Sequence, residues 1–177
     1  MEYARLNGAS VVAVPLDAAL RHDLPAMLAA VTERTRLVYV CNPHNPSGTA
    51  FTGDTLANFI RALPHHVTAV IDEAYLELAA DPAITSMISL VREGRNVVVL
   101  RTFSKIHGMA GLRFGYAVAP SALAEAFGAY RMTWANLFVP SAVRASLADT
   151  AHLEQTRALL LEDRQRIAAR LAARGMR

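Results

Sequence analysis

Short apolar runs rich in Val and Ile, each followed by a longer amphipathic stretch, recur along this chain and leave few folds open to it. Runs of four to six such residues are too short for helices and suit strands buried in a sheet. Their alternation with helical patterns predicts βα units feeding a mostly parallel sheet. Expected strands are Val11 to Val14, Leu37 to Cys41, Val67 to Ile71, Val97 to Leu100 and a shorter one at Gly115 to Val118. Helices are expected from Asp54 to Leu63, where Leu56, Phe59, Ile60 and Leu63 share one face. A second is expected from Ile84 to Val91, on the spacing of Ile84, Met87, Ile88 and Val91. A long helix rich in Arg, Glu, Leu and Ala is expected from His152 to Ala173, with Gly175 as its terminator.

Composition bounds the class of protein. With 177 residues, 53% of them hydrophobic, the chain can bury a sizeable core in one domain. Its apolar runs are broken by Arg, Asp, Pro or Gly before reaching the roughly 18 residues of a membrane span, and no signal-peptide pattern opens the sequence. The net charge of +3 comes from scattered arginines with acids between them, not from a basic run interleaved with aromatics, which argues against nucleic acid as a partner. One cysteine, Cys41, excludes an internal disulfide and suits a reducing, cytoplasmic compartment.

Parallel sheets gather functional groups where strands end at their carboxyl edge. Three expected strands end in polar clusters: Asn42-Pro43-His44-Asn45-Pro46-Ser47-Gly48-Thr49, Asp72-Glu73-Ala74-Tyr75 and Arg101-Thr102-Phe103-Ser104-Lys105. Each has a plain structural reading too. The first is a proline-rich turn, and Asp72 could cap a following helix. Lys105 is the only lysine in the chain and could be a chance survivor of arginine bias. Its chemistry is distinctive all the same, because a lysine amine can lose its proton and attack a carbonyl, whereas arginine stays charged.

Taken together, the runs Val38 to Thr49, Val70 to Tyr75 and Leu100 to Tyr116 resemble the fold-type I pyridoxal-phosphate aminotransferases of class I and II, in particular the histidinol-phosphate aminotransferase-like branch. The resemblance extends from about Leu6 to the end of the chain. It implies a three-layer α-β-α fold with a mostly parallel sheet. Residues 1–150 would be part of the cofactor-binding large domain, and residues 151–177 a long helix leading toward a small domain. It also implies pyridoxal 5'-phosphate as cofactor. Lys105 would bond covalently to the cofactor aldehyde and later move the substrate proton. Asp72 would pair with the protonated pyridine nitrogen. Asn45 and Tyr75 would hydrogen-bond the ring's phenolic oxygen, with Asn45-Pro46 a candidate cis peptide. Arg113, Thr102 and Ser104 would hold the phosphate. His44 and His107 depart from the family's usual residues and read as structural variation.

The same resemblance makes this chain the middle half of a longer parent. Other parts of that parent would carry the aromatic that stacks on the ring and the arginine that binds the substrate carboxylate. The expected reaction moves an amino group between an amino acid, or an amine such as histidinol phosphate, and a 2-oxo acid, in a homodimer. Alternatives are decarboxylation or C–S lysis on the same scaffold, a binding domain without turnover, or an inactive fragment. The chain alone is expected to hold the cofactor weakly.

Overall fold

A computed structural model describes residues 2–130 and 137–176. Four strands, β1 (Leu37–Cys41), β2 (Thr68–Asp72), β3 (Val97–Thr102) and β4 (Gly115–Val118), form one sheet in the order β1-β2-β3-β4. The first three run parallel, and β4 returns antiparallel to β3. The helices are α1 (Glu2–Leu6), α2 (Leu24–Ala29), α3 (Gly53–Ala62), α4 (Ile88–Arg92), α5 (Ser121–Ala129), α6 (Val139–Ala148) and α7 (Thr150–Ala172). The α/β class and the mostly parallel sheet are those the alternating pattern called for.

Strand alternation divides the sheet into two faces. Val38, Val40, Ala69, Ile71, Val97 and Val99 are buried on one of them, against Leu24 of α2, Leu56, Phe59 and Ile60 of α3, and Leu90 of α4. On the other face of β1, Leu37 and Tyr39 remain 55% and 48% exposed. Helix α3 starts where Thr52 accepts the N–H of Thr55, and α2 where Asp23 accepts that of Ala26. At the end of α7 the N–H of Met176 reaches the Leu171 carbonyl and that of Gly175 the Ala172 carbonyl, with Gly175 at φ +71°. That is a Schellman termination on the expected glycine. Among the described residues, no helix is long and apolar enough to cross a membrane.

Two expected elements come out differently. Val11 to Val14 is not a strand; the only ladder contact nearby is an isolated antiparallel bridge between Leu16 and His22. A β-prone run becomes a strand only where it pairs with another, and residues 11–14 join no strand of the sheet. The helix expected from Ile84 is confined to α4. The Glu73 carboxylate accepts the Met87 N–H at 2.7 Å and the Ser86 hydroxyl at 2.7 Å, which holds the preceding residues in a loop. Two strand ends also move. β2 runs through Asp72 and β3 through Thr102, so both residues belong to the ladder and not to the loops after it.

Leu56 is 1% exposed beneath the sheet, so Leu56→Ala should lower unfolding free energy by about 2–5 kcal/mol, read from urea denaturation.

Candidate active site

Register fixes where the site forms. In the parallel ladder Cys41 pairs with Asp72, and Asp72 pairs with Leu100, so β1 and β2 end level, β3 runs two residues farther, and all three loops leave from one edge. A cavity of about 320 Å³ opens there, lined by Asn45, Asp72, Tyr75 and Lys105, which come from three different loops or strand ends. Its volume matches the lower end of small-molecule sites, roughly 300–1,000 Å³. A second depression, between Ile60, His65 and Arg95, encloses about 10 Å³, room for no more than a water.

The loop after β1 is tied down by Asn42, which is 2% exposed. Its side chain accepts the Phe51 N–H at 2.8 Å and donates to the Phe51 carbonyl at 3.2 Å, while its own N–H bonds the Asp72 carbonyl. Both the Asn42-Pro43 and the Asn45-Pro46 peptides are cis, the second as expected. This loop brings Asn45 Nδ2 to 3.0 Å from the Tyr75 hydroxyl, so two groups able to meet one ligand oxygen already sit side by side.

Asp72 is the last residue of β2 and caps no helix. Its Oδ1 accepts the Ala74 N–H at 3.0 Å, and its Oδ2 accepts the Tyr39 hydroxyl at 2.7 Å. Glu73 points the other way and is 1% exposed. Arg101 Nε lies 3.3 Å from Glu73 Oε2, an ion pair without hydrogen-bond alignment, and Arg101 Nη1 donates to Glu77 at 2.7 Å. Burial pushes the Glu73 carboxyl above the ordinary glutamate range, against the pull of the Met87 N–H, the Ser86 hydroxyl and Arg101. This buried pair clamps the segment that carries Tyr75 onto β3.

Lys105 follows β3 on a tight turn. Phe103, 3% exposed, anchors that turn among His107, Phe114 and Tyr116, at centroid distances of 4.7, 5.7 and 5.9 Å. Gly108, at φ +69°, closes the turn by donating its N–H to the Lys105 carbonyl, a backbone geometry that glycine adopts without strain. The Lys105 amine stands 5.0 Å from the centre of the Tyr75 ring. His107 Nδ1 pairs with Ser146 of α6 at 2.8 Å, a structural tie.

Thr102, the last residue of β3, and Ser104 and Arg113 beyond it do not line the cavity. Thr102 Oγ1 accepts the Ser104 N–H at 3.0 Å, and the Phe103 N–H reaches the Phe114 carbonyl, which holds the Arg113 segment beside the Lys105 turn. Arg113 is exposed, adopts φ +52° and donates one N–H to the Ala110 carbonyl at 2.9 Å. At Gly115 an added Cβ would stand 2.7 Å from the Arg101 carbonyl, so only glycine lets β4 start this close to β3.

Five further residues line the cavity, none of them an expected ligand: His22, Tyr39, Cys41, His44 and Ala74. Alternation along β1 places Tyr39 and Cys41 on the face that carries Asp72, a signal available from the strand pattern. His22 comes from the irregular segment before α2, where no periodicity marks it. Its Nε2 accepts the Cys41 N–H at 3.3 Å, and burial together with nearby His44 holds its pKa below the ordinary histidine value. Among the described residues, no group of three His, Cys, Asp or Glu side chains could hold a metal ion.

A lysine amine and a strand-end carboxylate thus share one cavity at the edge of a mixed sheet. The family model for aminotransferase class I and II matches residues 1–177, and the chain belongs to that family. It is 46% identical over 168 residues to an aromatic amino acid aminotransferase of Mycolicibacterium smegmatis, a match covering 92% of this chain and 46% of that protein. It is 41% identical to a histidinol-phosphate aminotransferase of Anaeromyxobacter sp., covering 97% of this chain and 48% of the relative. The crystal structure of histidinol-phosphate aminotransferase from Sinorhizobium meliloti, in complex with pyridoxal-5'-phosphate, superposes with a TM-score of 0.90 at 35% identity, covering 98% of this chain and 47% of that one. The chain thus spans about half the length of the relatives it matches.

Replacing Glu73 by Ala would leave the buried Met87 N–H without its acceptor and take one of two carboxylates from Arg101, and should cost about 1–3 kcal/mol of stability. Glu73→Gln keeps an acceptor for the Met87 N–H and should cost less, a contrast that denaturant unfolding of the two variants measures.

Proposed function

We propose that this chain is part of a pyridoxal 5'-phosphate-dependent aminotransferase, a homodimer that moves an amino group between an amino acid or a histidinol phosphate-like amine and a 2-oxo acid. The observation that carries the reading is the convergence of Lys105, Asp72 and the Asn45–Tyr75 pair on one cavity of suitable size. The donor set suits the cofactor: an amine for its aldehyde, a carboxylate for its ring nitrogen and neutral donors for its phenolic oxygen. When bound, the cofactor supplies an electron sink that stabilises negative charge at the substrate carbon.

The residues then divide the work. Lys105 would hold the cofactor through its amine and would move a proton at the substrate carbon. Asp72 keeps the ring nitrogen protonated by offering it a carboxylate whose orientation is already fixed by two hydrogen bonds. Asn45 and Tyr75 would donate to the phenolic oxygen. Arg113 would offer the phosphate a planar guanidinium, and Thr102 and Ser104 would add hydroxyls. The names of the relatives, which divide between aromatic amino acids and histidinol phosphate, support a donor with a flat ring.

Decarboxylation and C–S lysis use the same lysine and carboxylate, so the products decide. Incubating the parent protein with cofactor, amino donor and a 2-oxo acid should yield the exchanged amino and 2-oxo acids; release of carbon dioxide or ammonia instead would favour the other reactions. Lys105→Ala should lower kcat/KM by about 10²–10⁴-fold, the range that a positioned acid–base group contributes. A variant of undiminished activity would remove Lys105 from the mechanism.

A further inference from the structure

We propose that Tyr39 is a positioning residue for the cofactor's pyridine end, its phenol locking the Asp72 carboxylate in the orientation that receives the ring nitrogen. The inference rests on the reading of the cavity as a pyridoxal-phosphate site and adds a residue to it.

The geometry begins in the ladder. Tyr39 pairs with Val70, and Cys41 pairs with Asp72, so Asp72 lies two residues farther along the neighbouring strand on the same face. A tyrosine is long enough to span that diagonal, and its hydroxyl meets Asp72 Oδ2 at 2.7 Å. The Ala74 N–H holds Oδ1 at 3.0 Å. With a donor on each oxygen, the plane of the carboxylate is fixed before any ligand arrives. An ionised carboxylate offers about four acceptor sites, so these two bonds leave room for one more donor from the cavity.

Core packing does not account for Tyr39. Its neighbours Val38 and Val40 fill the core at 8% and 0% exposure, whereas Tyr39 is 48% exposed and lines the cavity. Partial burial, together with the hydrogen bond and charge of Asp72, pushes the phenol above the ordinary tyrosine range. It therefore remains a proton donor throughout the pH range in which such an enzyme works. A phenylalanine here would keep the ring and remove only the donor, and Asp72 would then turn about its own side-chain bond.

The test is a double-mutant cycle on the parent protein, with pyridoxal phosphate titrated into the apoprotein and followed by visible absorbance. Tyr39→Phe should weaken cofactor binding about ten-fold, the low end for a hydrogen bond to a charged group. It should also move the absorbance maximum of the bound cofactor in the same direction as Asp72→Ala does. In the Asp72→Ala background it should change neither quantity. A Tyr39→Phe protein that binds and absorbs like wild type overturns the inference, and so do penalties that simply add. Wild-type protein that fails to bind pyridoxal phosphate at all would overturn the cavity reading along with it. Wild type that binds while Tyr39→Phe is indistinguishable from it overturns the role of Tyr39 alone.

Discussion

In-register parallel pairing of β1, β2 and β3 is the constraint on which the rest of the molecule depends. Because Cys41, Asp72 and Leu100 are partners in one ladder, three loops of different sequence leave the sheet at the same edge, the third two residues beyond the other two. A slip of one residue in β2 would exchange the faces of Ile71 and Asp72, placing a carboxylate in the apolar core and an isoleucine in the cavity. The core opposes that slip. Val40, Ile71, Val97 and Val99 are each fully buried against helices of fixed position, and moving any of them outward exposes apolar area while burying charge. Hydrophobic patterning thus sets the position of the chemistry.

A second constraint operates at the edge itself. The segment after β2 carries Tyr75, is short and contains no long helix, so it cannot order itself by local hydrogen bonding alone. Glu73 supplies the missing order from below, through Met87, Ser86 and Arg101, while Arg101 also reaches Glu77. Asn42 does the same for the loop of Asn45 by bonding both backbone groups of Phe51. Buried polar groups of this kind are costly unless satisfied, and here their satisfaction is what holds the ligand-facing residues in place.

Much of this was legible in the sequence, for physical reasons that differ by residue. Continuous Val and Ile runs announced the central strands because both faces of a parallel sheet exclude polar residues. The polar clusters after them announced an active edge, and the structure brings Asn45, Asp72, Tyr75 and Lys105 together there. Val11 to Val14 misled because the pattern reports willingness to extend and says nothing of a partner. The Ile84 stretch misled because Glu73, distant in sequence, takes the donors at Ser86 and Met87. Tyr39 and His22 went unmarked: one looked like an ordinary strand residue, and the other lay in a segment whose path is set only by tertiary contacts. The phosphate role proposed for Thr102, Ser104 and Arg113 rests on family likeness, since none of the three lines the cavity.

Covalent labelling tests most directly whether Lys105 and Asp72 grip opposite functions of one ring. Pyridoxal phosphate is added to the parent protein over a range of concentrations, borohydride fixes the attached cofactor, and peptide mapping compares Lys105 with the α-amine. The account predicts that Lys105 is labelled at concentrations far below those needed for the α-amine, and that Asp72→Ala raises the concentration needed at Lys105 without altering the α-amine. Labelling of Lys105 no more readily than the α-amine, or indifference to Asp72→Ala, would contradict it.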